Sequence, residues 1–270
     1  MPQETLLIGG EGVGVRLQAI LRKVDMTLLR DLNKQTSVTS NASTRTTYLS
    51  RLQEFHGASE AERSLSAQMG NMYDAFSELS AAPDNSFQLN NAVNSAQQVA
   101  QSFNDFHSLL EQMRNDVQSD ISAAVTQLNQ SLNSIADLNK RIAILDSQGK
   151  STAEFEDQRD REIKNVSQYL EVSSYTIENK QIVLMTRRGE TLVDHNAKLV
   201  SFSTSPATAG AYYPGGSLNG IMIEGIDITN TNLGGKLGAL VTLRDQTIPT
   251  YQAQIDEMAQ KTAARFDAIG

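Results

Sequence analysis

Residues 96–145 read AQQVAQSFNDFHSLLEQMRNDVQSDISAAVTQLNQSLNSIADLNKRIAIL, and their spacing decides the fold. Every seventh position is small or apolar: Ala96, Phe103, Leu110, Val117, Ala124, Ser131, Leu138 and Leu145. A second row runs beside it at Ile121, Leu128, Ile135 and Ile142, with Asn, Gln, Asp and Ser between the rows. Two such rows make one narrow apolar stripe along a helix. No Pro or Gly interrupts the chain between Phe87 and Gln148, so the helix would run unbroken for roughly 80–90 Å. That length is incompatible with a compact globule of 270 residues, and the stripe predicts a rod. It weakens at His107 and Arg114, where Phe106 and Met113 carry the apolar face instead, so the partner surface shifts there. The helices that cover the stripe come from this chain or from another copy.

Outward from the stripe, Asn85 or Ser86 caps the long helix and Gly149 ends it. On its N-terminal side, Asp25 caps a helix carried to about Phe55, whose middle, Thr36 to Thr47, is rich in Ser and Thr. Such residues are poor helix formers, so tertiary packing has to hold that segment. A further helix from about Glu60 to Ala81 carries Leu65, Met69, Met72, Phe76 and Leu79 on one face, and Pro83 stops it. On the C-terminal side, Ser151-Thr152-Ala153-Glu154 matches a capping box opening a helix to about Tyr169. The period then drops toward two between Glu171 and Phe202, with turns at Glu178-Asn179-Lys180 and Arg187-Arg188-Gly189. Residues 203–220 read as loop, and Ile221, Ile223, Ile226 and Ile228 as a strand pair around Gly225. Helical spacing returns after Gly234-Gly235, with Pro249 expected to kink it. Ile248, Tyr251, Ile255 and Met258 are expected to face the earlier helices.

The expected fold is therefore mainly α, an elongated bundle of long helices with a small inserted β-rich domain. Residues 1–25 form an extended segment or hairpin, 26–168 with 233–270 the helical rod, and 169–232 the β-rich insert.

Composition narrows the function. The net charge of −8, with basic residues scattered, argues against a nucleic-acid-binding surface. No run reaches transmembrane length. Cysteine is absent, which excludes disulfides, thiolate catalysis and Cys-ligated zinc. His56, His107 and His195 have no metal-ligand spacing, and Gly9-Gly10-Glu11-Gly12-Val13-Gly14 lacks the Gly-Lys-Ser/Thr of a phosphate loop. The acidic cluster Glu154, Glu156, Asp157, Asp160 and Glu162 alternates with Arg159, Arg161 and Lys164. That is the pattern of helix-surface ion pairs, not of an acid–base site with separated pKa values. No catalytic, cofactor or metal site emerges. On the residues alone, three readings stand: a structural subunit, a coiled-coil adaptor or surface adhesin, and a carboxylate-using enzyme in the β-insert.

Two stretches carry a family signature. Ile135-Ala136-Asp137-Leu138-Asn139-Lys140-Arg141-Ile142 is followed, after Gly149, by Asp157-Gln158-Arg159-Asp160. Gly234-Gly235-Lys236-Leu237-Gly238-Ala239-Leu240 leads through Arg244-Asp245 to Ile248-Pro249. Together with Gly189-Glu190-Thr191-Leu192-Val193, this order and spacing resemble the flagellar hook-associated protein 1 family, the hook–filament junction proteins. Phe155 and Glu156 stand where the family prefers Leu. The apolar terminal segments of the family are missing at both ends, so the chain is expected to be the middle of a longer protein with an added start Met.

The resemblance implies a non-enzymatic structural subunit with no cofactor, secreted through the flagellar export apparatus to the extracellular flagellum. It implies assembly into a ring by lateral self-contacts, beside the hook protein and hook-associated protein 3. It also implies an export chaperone acting on the missing C-terminal segment, and neither nucleic acid nor membrane as a partner. The structural motif residues are then Asp157, Gln158, Arg159, Asp160, Arg244 and Asp245. Arg159, a planar five-donor fork, is expected to fix the elbow where the long helix reverses at Gly149, by bridging carboxylates or carbonyls.

Overall fold

The structure, a computed structural model, describes residues 24–56, 64–208, 210–230 and 232–267. Of the extended segment or hairpin expected over residues 1–25, residues 1–23 lie outside the described residues, as does the expected helix start at Glu60. Among the described residues, six α-helices, a 3-10 turn, a π segment and six short strands follow in order. They are α1 (Met26–His56), α2 (Leu65–Ala81), α3 (Ser86–Ser147), α4 (Ala153–Tyr169), β1 (Val172–Thr176), β2 (Ile182–Thr186), β3 (Thr191–Val193), β4 (Val200–Ser201), β5 (Met222–Ile223), β6 (Ile226–Asp227), α5 (Gly235–Thr242) and α6 (Ile248–Asp267). The fold is the mainly α rod with small sheets that the stripe predicts.

Helix α3 is the spine. Its 62 residues span about 93 Å at 1.5 Å per residue. Asn85 Oδ1 accepts from the N–H groups of Phe87 and Gln88 at its start. At its end Gly149 turns left-handed at φ 65°, and Lys150 N–H reaches the Leu145 carbonyl at 2.9 Å. That six-to-one bond is a Schellman closure. The stripe is covered by this chain itself. Phe103, Leu110, Val117, Ala124, Ile121, Leu128, Ile135 and Ile142 are all buried, as are Phe106 and Met113 where the register shifts. Ala96, Leu138 and Leu145 are only half-buried. The buried face is wider than two rows, taking in Val99, Val125, Leu132 and Ala136, because neighbours approach α3 from several sides.

Those neighbours run antiparallel to it. Gln68 of α2 meets Ser102, and Tyr48 and Arg51 of α1 meet Asp120 and Asp116. Arg159 of α4 meets Asn139, and Gln252 of α6 meets Arg114. Asp25 caps α1 as expected, accepting from Thr27 and Leu28. The Ser/Thr-rich middle of α1 satisfies its own hydroxyls, since Thr36, Thr44 and Thr47 each donate to the carbonyl four residues back. Ser37 and Asn41 then tie α1 to Gly235 at the start of α5.

Three expectations are corrected. The capping box does not form. Thr152, not Ser151, is the cap residue of α4, and its hydroxyl bonds the Glu156 carboxylate at 2.5 Å instead of a backbone N–H. The closing helix is not a simple proline kink. A π segment, Leu243–Thr247, joins α5 to α6 and opens the ladder just before Pro249, which has no N–H to give. Of the four residues expected to be buried on α6, Ile248 and Ile255 are, Tyr251 is half-buried, and Met258 is 41 % exposed, lining an open groove with Met69, Met72 and Phe76 of α2.

Strands β1–β2–β3 form one antiparallel sheet and β4–β5–β6 a second. Their turns fall where the sequence put them, at 178–180, 187–189 and around Gly225. Inward residues Ile182, Leu184, Leu192, Val193, Val200, Ile221, Ile223 and Ile228 join the same apolar core as α3. A small separate core, Ala207, Ala211 and Leu218 with Tyr213, holds the long loop before β5.

Candidate functional site

Polar side chains on α3 dock the β elements. Asn139, fully buried, donates to the Ile182 carbonyl at 2.8 Å and accepts from Ile182 N–H at 3.2 Å. Asn129 does the same for Val200, at 2.8 and 2.9 Å. Asn115 accepts from Ala207 N–H at 3.0 Å. A carboxamide offers one donor and one acceptor side by side, so it can stand in for a neighbouring strand. Asn139 and Asn129 are used in this way: β2 and β4 each gain a backbone partner that no strand supplies.

Two buried arginines belong to the motifs singled out by the sequence. Arg159, 4 % exposed, donates from Nη1 to Asn139 Oδ1 at 3.0 Å and to the Lys180 carbonyl at 2.8 Å. It therefore locks α4, α3 and the 178–180 turn together. Asp157 is exposed, Gln158 contacts Glu154 one turn back at 3.4 Å, and Asp160 lines a small cleft with Arg30 and Asn33. The elbow at Gly149 is spanned by a residue that the sequence reading placed only in a turn. Lys180 Nζ lies 3.2 Å from Asp146 at the end of α3, and 3.0 and 3.7 Å from Thr152 and Glu156 at the start of α4.

Arg244 is wholly buried in the π segment, bidentate to Asp245 at 2.7 and 2.9 Å, and donates to the Asn219 carbonyl at 2.8 Å. Phe202 and Tyr213 lie 5.9 and 5.3 Å from its guanidinium carbon. Arg114, also buried, holds the same loop from α3, donating to the carbonyls of Thr208 at 2.9 Å and Ala211 at 2.5 Å and to Gln252 Oε1 at 3.2 Å. Burial pushes the Arg114 guanidinium below the usual arginine range, against the pull of Asp245. Tyr213 donates to Asp227 at 2.6 Å. Burial raises the Asp227 carboxyl, but the hydrogen bonds of Tyr213 and Thr229 outweigh it and hold the group below the ordinary range.

The structure thus gathers the motif residues at two places, Arg159 with Asn139 and Lys180, and Arg244 with Asp245 and Arg114. It does not bring the two motifs to one site. Arg114 was legible as an anomaly, because it occupies the row of Ile121, Leu128, Ile135 and Ile142, where a charge on an apolar row signals a buried partner. Lys180 carried no such signal. Among the described residues, no group of three or more His, Asp or Glu stands close enough to hold a metal ion, and no helix is long and apolar enough to cross a membrane.

The fold and these clamps define an elongated helical scaffold, stiffened along one spine helix. The chain belongs to the flagellar hook-associated protein FlgK family: the helical domain of that family matches residues 49–270. The fold is similar to that of the flagellar hook junction protein FlgK from Burkholderia pseudomallei, with a TM-score of 0.66 and 24 % identity. The match covers 84 % of this chain and 40 % of that one, so this chain spans less than half the length of that relative. No curated protein sequence matches the chain. The family is a structural component of the bacterial flagellum, as the two sequence signatures imply.

Proposed function

We propose that this chain is the helical rod portion of a non-enzymatic subunit that joins hook to filament, exported through the flagellar apparatus and assembled in a ring by lateral contacts. The observation that supports it best is the family match across 222 of its residues, 49–270. The self-covered spine helix fits the same reading, since a stripe satisfied within one chain leaves the outer rod faces for neighbours. The neighbours proposed are further copies, the hook protein and hook-associated protein 3, with an export chaperone acting on sequence beyond this region.

The test is genetic. In a bacterium lacking its own hook–filament junction protein, the full-length protein carrying this chain should restore filaments and swimming. Single cysteines introduced on the outer face of α1, in a chain that has none of its own, can report neighbours by cross-linking. Export to the medium without filament attachment would overturn the junction role.

A further inference from the structure

Between the 210–213 segment and α6 lies a cleft of about 340 Å³, lined by Arg114, Tyr212, Tyr213, Arg244, Gln252 and Asp256 among others. The two arginines differ in one respect. Arg244 has its charge matched by the bidentate Asp245. Arg114, 1 % exposed, hydrogen-bonds only neutral acceptors: two loop carbonyls and the Gln252 oxygen. Asp245 and Glu111 act on it at a distance, without an ion pair. Among the described residues its Nε has no acceptor, and neither does Nε2 of Gln252, 7 % exposed, whose oxygen is already engaged by Arg114. Two buried donors and one unmatched cation therefore meet beside a single cleft.

Buried polar groups are normally satisfied, and a buried guanidinium normally has an anion. Water would fill the donors but leave the charge unmatched. A carboxylate answers both, because its two oxygens take two N–H donors and its charge offsets the guanidinium. Phosphate is the poorer fit, since Asp245 and Asp256, which both line the cleft, oppose a dianion more than a monoanion. We propose that this cleft is a carboxylate-binding site, with Arg114 and Gln252 as its donors. The carboxylate comes either from a free small acid or from an acidic side chain of a second copy, which offers many in a chain with 31 Asp and Glu. The site does not depend on the junction role.

The test uses the full chain. The Arg114 Nε–H resonance in a 15N NMR spectrum, identified by its loss in Arg114→Lys, is followed during titration with sodium acetate and with sodium chloride at matched ionic strength. Acetate should shift it saturably in the millimolar range, and raise the melting temperature more than chloride does. Gln252→Leu, which leaves both loop carbonyl bonds of Arg114 in place, should weaken that response several-fold. Equal responses to acetate and chloride, or none, would overturn the site. Sedimentation at high concentration distinguishes the source. Weak self-association abolished by acetate at constant ionic strength assigns the carboxylate to a second copy, whereas an acetate shift without any association assigns it to a free acid.

Discussion

Arg159 shows how one side chain can hold three elements. Its fork reaches the Lys180 carbonyl and Asn139, and Asn139 in turn pairs both backbone groups of Ile182. Asn139→Ala should be the more damaging change, because it strips Ile182 N–H and its carbonyl as well as a guanidinium contact. A buried polar group left without a partner costs roughly 1–3 kcal/mol, so urea unfolding should show a loss of several kcal/mol for Asn139→Ala. Arg159→Ala should cost less, about 2–4 kcal/mol by the same count, and chelators should leave both wild type and variant unmoved. A Tm shift on chelation alone would make the acidic cluster a metal site. The neighbouring elbow contacts of Lys180, 51 % exposed at its side chain, belong to the weak class of surface ion pairs, worth about 0–1 kcal/mol.

At the scale of elements, the seam between α1 and α3 carries a pH dependence. Tyr48 is buried and donates to Asp120 at 2.9 Å. Burial, then the hydrogen bond and charge of Asp120, raise its phenol well above the ordinary tyrosine value. A group whose folded pKa is raised stabilises the fold fully below its unfolded pKa, near 10 for tyrosine. That contribution is lost as pH climbs above that value. Unfolding free energy measured at about pH 8 and about pH 11 should therefore fall more steeply for wild type than for Tyr48→Phe. At neutral pH the same variant should lose about 1 kcal/mol, the worth of one hydrogen bond.

The junction of α4, β1 and α5 is equally specific. Gly235 sits at φ 52°, and a methyl group there would collide with the Tyr169 carbonyl. Gly234, at φ 65°, has Glu171 Cβ and Ser37 Oγ within 2.8 Å of the same position. Left-handed backbone costs a side-chain-bearing residue about 1–3 kcal/mol before any clash. Gly235→Ala should thus lower the melting temperature clearly, while Gly70→Ala, on α2 with open space around it, should be neutral or stabilising.

For the whole molecule, the heptad stripe of the spine is covered within one chain, so this chain by itself should be monomeric at tens of micromolar in sedimentation. Lateral contacts in a closed ring can be weak individually, because each copy is held by several others. A tight dimer would point instead to a coiled-coil adaptor, whose seam is completed by a second chain. Ring assembly and this monomer are compatible only if the contacts need many copies at once.

What the sequence by itself determined was one-dimensional. Heptad spacing without Pro or Gly made α3 a rod, Asp25 and Asn85 marked helix starts, Gly149 marked a helix end, and the switch to period two located the strands. Each of these follows from local geometry, which neighbouring residues settle among themselves. The tertiary structure alone decided which polar residues matter. Asn129, Asn139 and Arg114 read as solvent-facing or anomalous in a helix, and become the docking points of β2, β4 and the long loop only once those segments lie against α3. Lys180 joins Asp146 and Glu156 across 24 and more residues of sequence, a distance no periodicity spans. The π segment before Pro249 is of the same kind, for burial of Arg244 beside Asp245 depends on what packs around that turn. Apolar periodicity is written along the chain, whereas a buried polar group acquires its meaning from the partner that folding brings to it.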